Sequence, residues 1–186
     1  MFAVYCLTKY PHIQKLVFED ILAHGPSDGP ITVEDIGKMS YFDAFLHEVL
    51  RLYPPVGMVV RDVARKTNLL GESIPAGTRV LVPIYLLHRH PRYWTDPEEF
   101  KPQRWLKGNE NRSKHHHFAF LPFSLGSRNC IGQRFAMYEA KLILAPIIRE
   151  FEMKLSPSLE NVDLRLVNFI TLKSIPSLKV RAKSRV

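Results

Sequence analysis

Cys130 lies in the run Phe123-Ser-Leu-Gly126-Ser-Arg128-Asn-Cys130-Ile-Gly132, and no other side chain of this sequence is better placed for chemistry. The run leads into a segment in which Ile131, Phe135, Tyr138, Leu142 and Ala145 recur at helical spacing. The sulfur therefore stands beside a helix N-terminus, where unpaired backbone N–H groups and the helix dipole stabilise negative charge. Gly126 and Gly132 remove side chains from both flanks, so backbone there can approach a flat or bulky partner. Such a thiolate could be a nucleophile, a metal ligand or a structural thiol. A nucleophile needs a histidine base and a third group to orient it, and none of the eight histidines stands in a motif that supplies one. Zinc needs about four ligands, and the run His115-His116-His117 has no CxxC or HxxxH companion, so it reads as a polar loop. On the cysteine alone, an inert buried thiol is the default reading.

Two further spacings bear on the choice. Glu48-Val-Leu-Arg51 sets a carboxylate and a guanidinium on one helix face. As an exposed pair they would add under about 1 kcal/mol. Pro97-Glu-Glu-Phe100-Lys-Pro102-Gln-Arg104-Trp105 then carries a second arginine, whose planar fork can bridge a carboxylate and backbone carbonyls as lysine cannot.

The elements that must position these groups follow from periodicity. Residues 1–24 read as helix in one or two pieces, with Pro11 suited to a first helical position. A Gly/Pro-rich loop over residues 25–30 ends it. The apolar stripe Phe42, Phe45, Leu46, Val49 and Leu50 predicts a helix over residues 40–53, with Ser40 and Asp43 as its capping box and Pro54-Pro55 as its stop. Short strands are predicted around Val59, Val60 and Val63, at Leu69-Leu70, and at Val80-Leu81-Val82. Residues 88–122, rich in Pro, Trp and His, show little regular pattern, and a loop that long usually has a function. The helix after the cysteine should end or kink at Pro146. The last thirty or so residues read as strands near Leu164-Leu166, Phe169-Leu172 and Leu178-Val180. The fold class is α+β: mainly α, with small β-sheets.

Composition narrows the class. At 186 residues, 46% hydrophobic and 24% charged, the chain is globular with room for one core. Its net charge of +8 comes without a nucleic-acid motif, and the scattered cations read as solvated surface. The tail Lys179, Arg181, Lys183 and Arg185 reads as a fraying basic end, with an acidic docking partner as the alternative. Two distant cysteines make no disulfide framework, and Cys6 reads as a buried free thiol. The apolar run over residues 1–7 is too short to cross a bilayer.

The cysteine run matches Phe-x-x-Gly-x-Arg-x-Cys-x-Gly at every defined position, and it resembles the haem-binding signature of the cytochrome P450 monooxygenases. The Glu-x-x-Arg pair and the Pro-x-x-Phe-x-Pro-x-Arg-Trp segment resemble two other motifs of that family, in the same order. Ile74-Pro-x-Gly77-Thr and Leu87-His88-Arg89-x-Pro91-x-Tyr93-Trp94 also resemble family segments. The resemblance identifies residues 1–186 as the C-terminal portion of a single P450 domain.

The resemblance implies haem b, iron protoporphyrin IX, with Cys130 as the axial thiolate ligand of the iron and so both the catalytic and the metal-binding residue. In that family the thiolate pushes electron density that favours O–O cleavage. Arg128 then corresponds to a propionate partner. Arg61 matches a second one, against the alternative of a surface strand residue. Phe123 packs on the haem near the sulfur, and Gly132 permits close helix–haem contact. Glu48, Arg51 and Arg104 form the buried network that braces the cysteine loop, in a structural role. Val56, Gly57, Met58 and Phe169 match substrate-lining positions, which implies a lipophilic substrate, against ordinary core and turn residues.

The implied reaction inserts one oxygen atom from O2 into such a substrate, with electrons from NADPH through a flavoprotein reductase. The reductase is expected to dock on the cysteine side, near Arg134 and Lys141. No nucleic-acid partner is implied. The full-length protein is expected at the endoplasmic reticulum membrane, held by an N-terminal anchor outside this chain. The family's oxygen-activating helix and N-terminal propionate partners find no match here, so this chain alone is expected to be inactive. The alternative is a non-catalytic haem-binding or degenerate remnant.

Overall fold

The computed structural model describes residues 1–108, 116–159, 165–168 and 171–185. Four helices open the chain: α1 (Phe2–Lys9), α2 (Pro11–His24), α3 (Val33–Lys38) and α4 (Ser40–Leu52). Pro11 occupies the first turn of α2, where its missing N–H costs nothing. The capping box falls on α3, where the Thr32 hydroxyl accepts from the Asp35 N–H and the Asp35 carboxylate accepts from the Thr32 N–H. Helix α4 starts without a side-chain cap, contrary to the Ser40–Asp43 expectation. Asp43 is engaged instead by two side chains described below.

Two antiparallel hairpin-like pairs follow. Strand β1 (Val59–Asp62) pairs with β4 (Arg79–Val82), and β2 (Thr67–Leu69) with β3 (Glu72–Ile74). A short helix, α5 (Ile84–Leu87), leads into the stretch predicted to lack regular structure. Among its described residues, only single 3-10 turns at Pro102–Trp105 and His117–Ala119 interrupt it. The cysteine run includes another such turn and enters α6 (Gln133–Glu150). Strand β5 (Phe151–Leu155) then pairs with β8 (Val180–Ser184), and β6 (Arg165–Asn168) with β7 (Leu172–Ile175). The fold is α+β, with two-stranded sheets at the edges of a helical body.

The core is the meeting of α1, α2, α4 and α6 over Leu7, Ile13, Val17, Phe42, Phe45 and Ile148. Phe100, sent in from the long irregular stretch, lies parallel to Tyr10 at 5.0 Å and edge-on to Phe45 at 5.7 Å. Such offset and edge geometries suit the ring quadrupole.

Helix α6 departs from expectation in two ways. It runs through Pro146 to Glu150, because Ala145 and Ile148 on either side are buried against the body and hold the backbone helical. Its buried residues are Lys141, Ala145 and Ile148, while Ile131 and Phe135 of the predicted apolar face stand in solvent.

The tail is ordered rather than frayed up to residue 185. Arg181 and Lys183 lie within β8, and Arg185 donates from Nε to the Ile148 carbonyl at 3.0 Å with its guanidinium over Phe18. Gln14 ties β5 to the helices. Its amide nitrogen donates to the carbonyls of Leu7 and Met153, each at 2.9 Å, and its oxygen accepts from the Met153 N–H at 2.7 Å.

Gln14→Ala should strand that buried N–H and the two carbonyls. A loss of roughly 2 kcal/mol or more is expected, read as a lower urea midpoint with an unchanged m value.

Candidate functional site

The Glu48–Arg51 spacing does not make the surface pair that its type most often makes. Both side chains are fully buried. Arg51 donates from Nε and Nη2 to the two Glu48 oxygens at 2.9 and 2.8 Å. Its remaining N–H groups reach backbone carbonyls: Nη1 those of His88 (2.9 Å) and Pro97 (2.6 Å), Nη2 that of Glu99 (2.9 Å). A guanidinium has five N–H donors, and all are used. Glu48 also accepts from the Lys101 N–H (2.9 Å), Arg104 Nε (3.2 Å) and Trp105 Nε1 (2.9 Å). Arg104 turns its other nitrogens to the carbonyls of Thr95 and Asp96. The Trp94 ring faces the Arg51 guanidinium at 5.1 Å.

Glu48, Arg51 and Arg104 therefore come together, and what they grip directly is residues 88–105. Two links run on toward the cysteine. Trp105 packs on Phe120 with ring centres 4.4 Å apart. His88, completely buried, donates from Nδ1 to the Arg51 carbonyl (3.1 Å) and accepts on Nε2 from the Leu121 N–H (2.7 Å). Those two partners fix its tautomer. Sequence reasoning assigned His88 no role.

From Leu121 the chain turns through Ser124 and Gly126, both at positive φ, into the 3-10 turn Gly126–Arg128. For glycine the left-handed conformation carries no steric cost. The Cys130 N–H donates to the Phe123 carbonyl at 2.8 Å, which closes the loop. Cys130 is a free, exposed thiol, and α6 begins three residues later at Gln133. A Cβ built on Gly132 would point at the Cys130 sulfur from 3.9 Å, so the glycine keeps that flank of the sulfur clear. Arg128 is exposed on the same loop. Cys6 is the opposite kind of thiol, buried among α1 contacts, and burial pushes its proton affinity well up.

Beside the loop an open apolar cleft of about 490 Å³ is lined by Phe2, Leu50, Tyr53, Phe123, Ala136 and Met137. Phe123 and Met137 also face a smaller hollow that holds His47. His47 Nδ1 lies 3.3 Å from the Asp43 carboxylate, whose other oxygen is 2.7 Å from Lys141 Nζ. Burial would raise the Asp43 carboxyl, but the hydrogen bonds from His47 and Lys141 outweigh it and hold the group down at about 2. Burial likewise opposes protonation of His47, and Asp43 overcomes it, so the ring titrates above its ordinary value.

Lys141 also donates to the Ile36 carbonyl and is buried, so it offers no surface charge for docking. Its partners lie on α3 and α4, which seal it. Arg134 is exposed as expected.

Arg61 stands in solvent on β1, its Nη1 donating to the carbonyl of its neighbour Val60. Val56 and Met58 are exposed and Gly57 is buried. The Leu172 N–H donates to the Pro55 carbonyl at 2.8 Å, which brings the turn before Val56 against the β6–β7 hairpin. Phe169 and His115 lie outside the described residues. Among the described residues, no three His, Cys, Asp or Glu side chains converge as a metal cluster would require.

The family model described as "Cytochrome P450" matches residues 1–179. Among curated proteins, the chain is 42% identical to cytochrome P450 4B1 of Homo sapiens over 156 residues, 83% of this chain and 30% of that protein. It is 38% identical to cytochrome P450 4V2 of Rattus norvegicus over 184 residues, 98% of this chain and 34% of that protein. With cytochrome P450 3A28 of Bos taurus the identity is 39% over 153 residues, 82% of this chain and 30% of that protein. The chain thus spans about a third of the length of these relatives.

Arg51→Lys keeps the charge but offers too few donors, in the wrong geometry, for Glu48 and three carbonyls. It is expected to cost about 3 kcal/mol or more of unfolding free energy, measured by urea denaturation, with Glu48→Gln falling in the same direction.

Proposed function

This chain belongs to the cytochrome P450 family of haem monooxygenases, and from that premise we propose that it is the haem-ligating, C-terminal part of a haem-thiolate monooxygenase. The observation that carries the reading is the Cys130 loop: an exposed thiol, one flank kept bare by Gly132, on a turn pinned by the Cys130 N–H to Phe123, whose side chain lines the adjacent apolar cleft. That donor fits a flat, bulky metal cofactor. A single exposed sulfur leaves the remaining coordination to the cofactor, and the apolar wall suits a porphyrin face.

Cys130 would hold the iron of haem b through its sulfur, and Arg128, exposed on the same loop, would pair with a propionate. Phe123 would pack on the ring. Arg61 is the second propionate partner in this reading. When bound, a haem held by the Cys130 sulfur would supply oxygen activation. This chain's own residues hold the sulfur in place: Glu48, Arg51 and Arg104 fix residues 88–105, and these seat the loop through His88 and Trp105. Val56, Gly57 and Met58 would line the substrate side with Phe169, for a lipophilic organic substrate that receives one oxygen atom from O2.

Electrons would come from NADPH through a flavoprotein reductase, docked on the cysteine side with Arg134 as one basic contact. Lys141 is not part of that surface. The endoplasmic reticulum is the location proposed for the whole protein. Among the described residues, no helix is long and apolar enough to cross a membrane.

The test is spectroscopic. The recombinant chain is mixed with haem and reduced under carbon monoxide. A Soret band shifted far to the red is expected, and Cys130→Ser should abolish it while leaving the far-UV circular dichroism unchanged. Absence of the red-shifted band in the parent chain would favour a degenerate remnant.

A further inference from the structure

We propose that His88 is the positioning residue that couples the Glu48–Arg51 network to the cysteine loop, and that it does so only as a neutral imidazole, which makes the seat of the loop acid-labile. The chemistry of its two partners carries this. A backbone carbonyl can only accept, so Nδ1 must carry a proton to bond Arg51. A backbone N–H can only donate, so Nε2 must present its lone pair to Leu121. Leu121 lies two residues before Phe123, whose carbonyl holds the Cys130 N–H. One ring therefore joins the C-terminal end of α4 to the start of the loop, with no solvent access to mediate an alternative bond.

A proton on Nε2 would replace that acceptor with a donor facing a donor. The surroundings oppose it further. Burial is the largest cause holding the ring down at about 4, and the charged groups that face it, Arg51 from α4 and Arg89 from its own segment, are both cationic. The loop side supplies the Phe120 ring, 5.2 Å away, and backbone; residues 118–123 carry no ionisable side chain. Glu48 cannot compensate, since its oxygens are taken by Arg51, Arg104, Lys101 and Trp105.

The sign follows from linkage. An unfolded histidine protonates near pH 6.5, and the folded one near 4. The contribution is complete above about pH 6.5 and is lost as pH falls toward about 4. The bond from Leu121 should weaken by about two orders of magnitude across that interval.

The functional part of this inference rests on Cys130 being a haem ligand, whereas its structural part does not, so the experiment reads them separately. In the haem-free chain, amide hydrogen exchange is followed from pH 7 to pH 4 and expressed as protection relative to the unstructured rate at each pH. The expected result is a loss of about 100-fold in protection at Leu121, accompanied by Cys130. His88→Gln, which can still donate and accept but cannot protonate, should show a flat profile at Leu121. His88→Phe, which offers no acceptor, should leave Leu121 unprotected at pH 7.

A flat profile in the parent chain overturns the proposal. So does a His88→Gln profile that follows the parent. In the haem-loaded chain, the red-shifted carbon monoxide band should fade over the same interval and persist in His88→Gln. If no band forms at any pH while the exchange results hold, the haem reading falls and the positioning role of His88 stands.

Discussion

Everything near the cysteine depends on one buried ion pair. Taking Glu48 and Arg51 out of water is costly, and their mutual attraction alone does not compensate for it. What makes the arrangement tenable is that no donor of Arg51 is left over and that Glu48 accepts from three further groups. Most of those partners are backbone atoms of residues 88–105, a segment that has almost no ladder of its own among the described residues. The pair therefore does for that segment what a strand partner does elsewhere: it satisfies the polar main chain in the interior. Charge here is used to hold irregular backbone, and the cost of burial is distributed over many hydrogen bonds.

This also explains what was legible in the sequence. Glu48 and Arg51 could be singled out by spacing, but nothing in that spacing says that the pair is buried. Burial comes from the wrapping of residues 88–105, and only the resemblance linked Arg104 to the pair. Helices α2 and α4 could be read because one face of each is apolar at regular intervals. The apolar period of α6 was equally visible and held only toward its C-terminal end, where Ala145 is buried and Leu142 packs on the core; Ile131, Phe135 and Tyr138 face outward, and Lys141 takes a core position by pairing with Asp43. That pairing joins residues almost a hundred positions apart, which no local pattern encodes. It also removed Asp43 from its expected cap. Gln14 left a trace, being a polar residue in the stripe formed with Val17 and Ile21. His88 was visible only as a member of the Leu87–Trp94 segment, with nothing to mark its role, which depends on one carbonyl and one N–H supplied by distant segments.

The site itself combines two environments with opposite demands. Around Glu48 both carboxylate oxygens and all five donors of Arg51 have fixed partners in the interior. At Cys130, a short way along the chain, the sulfur is exposed and its flanks are small. His88 and Trp105 lie between the two, one by hydrogen bonds and one by ring contact. A loop that must present a reactive atom cannot also bury itself, so its geometry is set from behind by a rigid neighbour.

The basic tail can be understood in the same spirit. Strand β8 pairs with β5 along one edge, and among the described residues no second strand pairs with Val180–Lys183 on the other. A free edge is a template on which another extended chain can add itself. Arg181 and Lys183 stand on that strand, exposed and of one sign. A second copy arriving in register there would bring like charges together, which opposes pairing along that strand.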